Sequence, residues 1–371
     1  MRVWMSAAAT LQAVTARLAP DELASIVSLH EFEALARDRM TGPNFDYVAG
    51  GSWDEITLAE NDAAWRDFRF VPRVLTDIRS VDVSGSFLGR PSSLPIAIAP
   101  MAAQAMAHPD AEAAMARAAA DAGIPMILST SASMTPEAVA EAAPDADQLF
   151  QLYLVGDLGY TRSLVERAEA SGYRAIVLTV DLPVLGYRER DRRSAFELPR
   201  MPNVEAAPGA DRGRYGGLDD QRALGLTWDD LAEIRSWSAL PLVLKGILAP
   251  DDARLAVEHG VEGIVVSNHG ARQLDRSIAT ADALEAIVAA VTGRAEVWVD
   301  GGIRRGLDVA IALALGAKGV LVGRPFYWAL AAGGQAGVER AIAILREELE
   351  IALPLLGAGS MSALLRELVT R

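Results

Sequence analysis

The chain has 371 residues, enough for two or three ordinary domains or for one closed α/β barrel. Hydrophobic residues make up 51% and charged residues 23%, which excludes a disordered chain. The net charge of −14 opposes a nucleic-acid backbone or an anionic membrane surface. Cysteine is absent, which removes disulfides, thiolate metal sites, iron–sulfur clusters and every cysteine nucleophile.

Residues 1–20, MRVWMSAAATLQAVTARLAP, predict an amphipathic helix rather than a signal peptide, because Gln12, Thr15 and Arg17 interrupt the apolar run. No window reaches the roughly 18 uninterrupted apolar residues of a membrane span, so a soluble, cytoplasmic protein is expected. Residues 1–92 predict a helical cap that is not an independent domain, ahead of a barrel over 93–371. From Ser93 onward a short apolar run alternates with an amphipathic stretch. The runs fall at 94–99, 125–129, 149–154, 175–180, 241–245, 263–267, 296–300 and 319–323. Each is apolar on both faces, as strands of a buried parallel sheet are.

The stretches between them carry helix signals. Pro250 with Asp251 and Asp252 opens a helix that Gly260 stops. Thr280 is expected to cap a helix with Leu284, Ile287, Val288 and Val291 on one face, ended by Gly293. A further helix from Arg304 to Leu315 closes on Gly316. Eight such units predict an α/β fold, a (β/α)8 TIM barrel with an N-terminal helical cap; a doubly wound open sheet is the less regular alternative. One connection is long. Residues 199–225, after the fourth run, are rich in Gly, Pro and charge. They read either as a mobile flap over the barrel mouth or as a passive disordered insertion, ending where Thr227 caps the helix WDDLAEIR.

In a barrel of this kind chemistry sits where strands end. DGGIRRG (300–306) and VGRP (322–325) place glycines and an arginine, Arg304 or Arg324, where a loop meets a helix N-terminus. Backbone N–H groups and the helix dipole bind phosphate there, whether of a substrate or of a nucleotide cofactor. Lys245 ends the fifth run as a buried ammonium that needs an anion. That anion is a neighbouring strand's carboxylate in one reading, a cofactor or oxyanion in the other. The sixth run ends in SNHGARQLD (267–275). His269 beside Arg272 suits proton abstraction from a substrate whose carboxylate the guanidinium grips in two-pronged fashion. Asp181, closing LTVD, is placed to orient the imidazole or to stabilise its cation. His30, His108 and His259 read as structural, in the cap, at a helix start and in a last helical turn.

Together SNHGARQLD, DGGIRRG, LTVD with LGYRE, FQLY and MAHPD resemble the FMN-dependent α-hydroxy acid oxidases and dehydrogenases, in family order from about Glu31 to about Arg346. The resemblance implies FMN as cofactor and oxidation of an (S)-2-hydroxy acid to the 2-oxo acid. It implies His269 as the base and Asp181 as its partner. Arg188 and Arg272 then hold the substrate carboxylate, and Tyr47 and Tyr153 hydrogen-bond the carboxylate and hydroxyl region. Lys245 faces the flavin N1–O2 edge, steadying negative charge there. Ser129, Gln151 and Thr179 hydrogen-bond the isoalloxazine ring, and Pro100, Met101, Ala102 and Ser267 are further cofactor positions. Asp300, Gly301, Gly302 and Arg304, with Gly323 and Arg324, take the FMN phosphate.

Two departures and one match refine what the resemblance implies. Ser131 stands where glycolate oxidases carry a tryptophan, which implies a substrate bulkier than glycolate, aromatic as in mandelate, or lactate. Met101 replaces the usual threonine. Ala102 matches the oxidase members and the 199–225 loop has no apolar anchoring segment, which implies dioxygen as acceptor with release of hydrogen peroxide. A dehydrogenase or monooxygenase outcome is the alternative. The resemblance also implies a homo-oligomer of four subunits, with no metal. Two further rivals are another barrel enzyme (a flavin-dependent isomerase or reductase, or a sugar-phosphate enzyme without flavin) and a non-catalytic FMN or phosphate-metabolite sensor. A base beside paired guanidiniums argues against the sensor.

Overall fold

The computed structural model describes residues 18–155, 157–194, 196–208 and 226–371. Eight parallel strands run in chain order: β1 (Ile96–Ile98), β2 (Met126–Ser129), β3 (Gln148–Leu152), β4 (Ile176–Thr179), β5 (Leu242–Ile247), β6 (Gly263–Val266), β7 (Glu296–Val299) and β8 (Gly319–Val322). They close into a barrel because β8 pairs with β1, Val320 opposite Ile96 and Val322 opposite Ile98. An open sheet is thereby excluded. Every predicted run is a barrel strand, with ends shifted by a residue or two.

The doubly apolar runs are explained by two cores. Ile96, Met126, Leu128, Ile176, Leu178, Leu242 and Leu244 pack outward against the helices. Ala97, Ile127, Leu149, Val177, Val243, Val265, Trp298 and Leu321 form a second cluster inside the barrel. A strand's side chains alternate in direction, so the residue two further on points inward again, one layer nearer the mouth. Those residues are Ala99, Ser129, Gln151, Thr179, Lys245, Ser267, Asp300 and Gly323. The interior is therefore apolar at its floor and largely polar in its top layer. The floor is sealed by the hairpin of Gly85–Phe87 and Arg90–Ser92, whose Phe87 ring lies 3.9 Å from that of Trp298. Glu296 fastens the hairpin by accepting the Leu88 amide at 2.8 Å and the Trp298 indole N–H at 3.2 Å.

Helices Pro20–Ser25, Glu31–Arg39, Gly42–Ala49 and Ile56–Arg66 precede the barrel. The predicted helix over 1–20 lies almost wholly outside the described residues, and Pro20 instead opens the first of these four. A long helix, Arg324–Leu356, follows β8 and is interrupted at Gly333 and Gly334. Among the described residues no helix is long and apolar enough to cross a membrane.

Several local expectations need correction. Thr280 is the first residue of helix Thr280–Val291, and its hydroxyl donates to the Asp300 carbonyl at 2.5 Å instead of capping. The reason is proximity: the β7 loop offers a buried acceptor that needs a donor. Thr227 likewise donates its hydroxyl to Asp230 at 2.7 Å, and the helix starts only at Asp230. The first third of the long connection carries structure and packing contacts that the sequence did not lead one to expect. Residues 202–205 form a short helix with Asn203 and Val204 buried, the Tyr160 hydroxyl donates to the Asn203 carbonyl at 2.7 Å, and the Asn203 amide donates to the Met134 carbonyl at 3.2 Å. The remainder, 209–225, lies outside the described residues.

If Trp298 fills the floor, Trp298→Ala leaves a void under the hairpin and lowers the unfolding free energy by about 3–5 kcal/mol. Urea unfolding reads this directly, and a loss under about 1 kcal/mol would contradict the packing described.

Candidate active site

The barrel mouth opens into a cavity of about 1100 Å³, counting its opening. Most of the predicted site residues line it, from Tyr47 in the cap to Arg324 after β8. Asp181, Gln151 and Ser267 do not, and each stands one side chain behind the wall.

His269 follows β6 in a backbone turned left-handed at three successive residues, His269, Gly270 and Ala271, with φ of 59°, 61° and 62°. This turn aims the imidazole across the mouth, where its Nδ1 meets Asp181 Oδ1 at 2.8 Å and its Nε2 meets the Tyr153 hydroxyl at 3.3 Å. An ionised carboxylate can only accept, so Nδ1 carries the proton and Nε2 presents its lone pair to the pocket. Burial is the largest influence on His269 and holds its pKa below the ordinary value; Lys245 and Arg188 add to this and Asp181 opposes it. Burial pushes the Asp181 carboxyl up, but the imidazole and Lys245 outweigh it and hold the group below the usual aspartate range. The pair at neutral pH is therefore a carboxylate and a neutral imidazole. Tyr153 is pushed far up by burial and by Asp181 and stays a phenol.

Opposite the imidazole stand two guanidiniums. Arg188 donates to the Arg272 carbonyl at 3.3 Å and to the Gln273 side-chain oxygen at 3.4 Å. Arg272 donates to the carbonyls of Tyr47 and Gly50. These hydrogen-bond partners, among the described residues, are neutral oxygens. Burial and then Arg272 pull the Arg188 pKa down to about 10, still well above neutrality. The Tyr47 ring lies between them, 4.6 Å from the Arg272 guanidinium carbon and 6.0 Å from that of Arg188, and is stacked on Phe196 at 4.4 Å.

Lys245 makes the ion pair with another strand's carboxylate and also reaches the cavity wall. Its ammonium meets Asp300 Oδ2 at 3.0 Å and the Ser267 hydroxyl at 2.8 Å, yet it also lines the cavity. Burial pulls its pKa down, and Asp300 and Asp181 outweigh that, keeping it charged. The Ser267 hydroxyl oxygen also accepts the His269 amide at 3.1 Å, so Ser267 joins the cation to the histidine turn.

The two glycine loops face each other below the arginines. Gly301 and Gly302 have φ of 91° and 81°, and a Cβ on Gly302 would lie 2.0 Å from the Asn61 carbonyl. Gly323 precedes the helix Arg324–Leu356, and a Cβ there would meet only Ala99 and Met101, at 3.7 Å. The first N–H groups of a helix have no partner within it and carry the positive end of its dipole. Arg324 spans from the Val48 carbonyl at 2.9 Å to that of Gly270 at 2.9 Å, and Arg304 pairs with Asp62 at 3.4 Å. Burial, with Arg272 and Arg304 nearby, pulls the Arg324 pKa down to about 9, so it remains cationic. Pro100, Met101 and Ala102 form the wall beside Gly323.

Among the described residues several buried polar atoms have no partner: Thr179 Oγ1, Ser131 Oγ and Asp300 Oδ1, of residues that line the cavity, and Gln151 Nε2 behind its wall. Ser129 does have partners, donating to Gln151 at 3.1 Å and accepting the Ser131 amide at 3.1 Å. Orphaned donors and acceptors around an apolar slot, with an anion cradle at one end, fit a flat heteroaromatic ring carrying a phosphate tail.

Leu182 and Leu185 also line the cavity and were not singled out from the sequence, although Leu185 opens the quoted LGYRE and Leu182 directly follows LTVD. Gln273 was missed as well: it accepts from Arg188 and from the Gly186 amide and donates to the carbonyls of Asp181 and Val184. None of the other three histidines lines the cavity. His108 accepts the Asp110 amide at 3.1 Å, His259 stacks on Trp228 at 5.6 Å, and His30 sits at the start of Glu31–Arg39.

Comparison with known proteins agrees with this geometry. A family model described as FMN-dependent dehydrogenase matches residues 36–371. An L-lactate oxidase of Nostoc sp. is 50% identical over 353 residues, covering 91% of this chain and 96% of its own length. A glycolate oxidase of Spinacia oleracea is 44% identical over 350 residues, covering 92% and 95%. The crystal structure of mandelate oxidase with (S)-2-phenylpropionate is similar with a TM-score of 0.84 at 44% identity, covering 93% of this chain and 98% of that one. By match, length and site, the chain belongs to the FMN-dependent dehydrogenase family.

Proposed function

We propose that this chain oxidises an (S)-2-hydroxy acid to the corresponding 2-oxo acid, with dioxygen as final acceptor and hydrogen peroxide as its product. The observation that carries this reading is a neutral imidazole, backed by Asp181, facing two guanidiniums whose hydrogen bonds go to neutral oxygens. FMN, when bound, supplies the two-electron acceptor for the substrate C–H bond.

The protein's own groups do the rest. Arg188 and Arg272, with Tyr47 between them, hold the carboxylate by charge-assisted hydrogen bonds. Tyr153 and His269 Nε2 flank the hydroxyl, and Nε2 takes the proton that leaves the substrate, whether from the hydroxyl or from Cα. Asp181 stabilises the resulting imidazolium without itself being protonated. Lys245, kept charged by Asp300, offers fixed positive charge to the reduced cofactor ring. Thr179, Gln151 and Ser129 hold that ring at its polar edge, and the loops at 300–304 and 323–324 hold the phosphate. Leu182, Leu185 and the small Ser131 leave apolar room for a side chain larger than that of glycolate, in keeping with the mandelate-oxidase likeness. A cap of residues 1–92 working as one unit with the barrel 93–371, a homo-oligomeric assembly of four and a cytoplasmic location complete the proposal.

An anaerobic panel of 2-hydroxy acids tests it: mandelate or lactate should bleach the flavin, glycolate should do so less well, and air should restore the colour with peroxide. A chain that retains FMN but is bleached by none of them would refute the proposal. His269→Ala should keep its FMN and lose at least about 100-fold in flavin reduction; reduction at the parent rate would remove His269 as the base.

Because burial lowers the His269 pKa, the imidazole stays neutral through pH 7 and reduction falls only as acid protonates it, below its ordinary value of 6.5. Asp181 is the group that raises this pKa, so Asp181→Asn should move the acid limb to still lower pH while the plateau drops by about 100-fold or more. Stopped-flow reduction against pH reads both changes. Gly302→Ala should clash with Asn61 and release FMN, measured as the flavin-to-protein ratio after gel filtration; full retention would contradict the phosphate assignment.

A further inference from the structure

The left-handed turn that aims His269 contains two non-glycine residues in a region such residues avoid, and a turn of that kind persists only where its surroundings over-determine it. Its clamps are visible. The Ala271 carbonyl accepts from the Ser52 amide at 3.0 Å and the Ser52 hydroxyl at 3.2 Å, and the Gly270 carbonyl accepts from Arg324. At the other end the Ala271 amide donates to Asn268, both to its carbonyl at 3.0 Å and to its side-chain oxygen at 3.1 Å.

The Asn268 side chain is in turn locked by a residue of the cap. Asn61, on helix Ile56–Arg66, donates to Asn268 Oδ1 at 2.9 Å and accepts from Asn268 Nδ2 at 2.8 Å, a reciprocal amide pair with both partners buried. Asn61 Oδ1 also accepts the Thr280 amide at 3.4 Å, and Asn268 Nδ2 also reaches the Ile278 carbonyl at 3.2 Å. One helical turn on from Asn61, Trp65 donates its indole N–H to the Gly301 carbonyl at 2.8 Å. Residues four apart share a helix face. One face of one cap helix therefore braces both the histidine turn and the phosphate loop, without lining the cavity.

We propose that Asn61 is a positioning residue for the proton-abstracting base: through Asn268 it holds the left-handed turn that presents His269 to the substrate. This rests on His269 being the base. The groups that face that imidazole, Asp181 after β4, Lys245 on β5, Tyr153 after β3 and Arg188, are all left in place by a change at Asn61. An effect of Asn61 on the chemistry must therefore come through the turn.

The test uses the FMN-loaded enzyme with Asn61→Ala and Asn61→Asp. The aspartate keeps the acceptor for Asn268 Nδ2 and Thr280 but replaces the donor to Asn268 Oδ1 by a buried carboxylate oxygen, setting acceptor against acceptor. Asn61→Ala should reduce its flavin about tenfold or more slowly, since small misplacements of reacting groups cost that much. Substrate affinity from spectral titration should stay within about threefold, and Asn61→Asp should likewise reduce its flavin more slowly than the parent. Independently of turnover, amides of residues 267–272 should exchange hydrogen about tenfold faster in Asn61→Ala, with the barrel strands unchanged. Unchanged exchange in 267–272, or a rate loss that only tracks lost FMN or lost affinity, overturns the inference. If Asn61→Ala does not fold, Asn61→Asp decides: parent-like reduction and exchange refute it. Should no 2-hydroxy acid reduce the parent, the functional proposal fails while the exchange readout still judges the brace.

Discussion

The hydrogen bond between Asp181 and His269 Nδ1 organises the whole mouth of the barrel. It fixes which imidazole nitrogen is free, and that choice decides whether the group is a base toward the pocket or a donor. Two opposing influences meet on it. Burial and the surrounding cations lower the histidine pKa, and the carboxylate raises it. The net result is an imidazole neutral at rest that still finds a counter-charge when it becomes a cation. Removing the imidazole leaves a buried carboxylate without its donor, and removing the carboxylate leaves the imidazolium formed on proton uptake without a counter-charge; each is costly inside a protein.

The barrel makes this arrangement possible by a simple periodicity. Inward-facing residues come every second position, so an apolar floor and a polar top layer are written two residues apart in each strand: Val177 then Thr179, Val243 then Lys245, Trp298 then Asp300. The hydrophobic lower layer holds the strands in register, and the upper layer spends that rigidity on chemistry. Lys245 shows the economy of the design. Its pairing with Asp300 satisfies the burial of an ammonium, and the same pairing keeps it charged where it faces the cavity.

Much of this was legible in the residues. The eight apolar runs mapped onto eight strands because parallel barrel strands are buried on both faces, a pattern few other elements share. Site positions at strand ends followed from the architecture, and Lys245, His269, Asp300 and the paired glycines were each marked by a polar or small residue where an apolar one would otherwise stand. Local caps were less legible. Thr280 and Thr227 have the residue type of a cap, but each hydroxyl found a nearer acceptor, the Asp300 carbonyl and the Asp230 carboxylate. The packed segment around Asn203 was hidden because its partners, Met134 and Tyr160, are remote in the chain. Asn61 left no signal at all: an amide in a cap helix gains meaning only when a residue 207 positions away comes to meet it.

The protonation state of one ring carries the heaviest weight, and nitrogen NMR of the histidine side chains in the FMN-loaded protein reads it directly. At pH 7, His269 should show a protonated Nδ1 and an unprotonated Nε2, a neutral ring hydrogen-bonded to Asp181. A ring protonated on both nitrogens, or one carrying its single proton on Nε2, would contradict its role as the base.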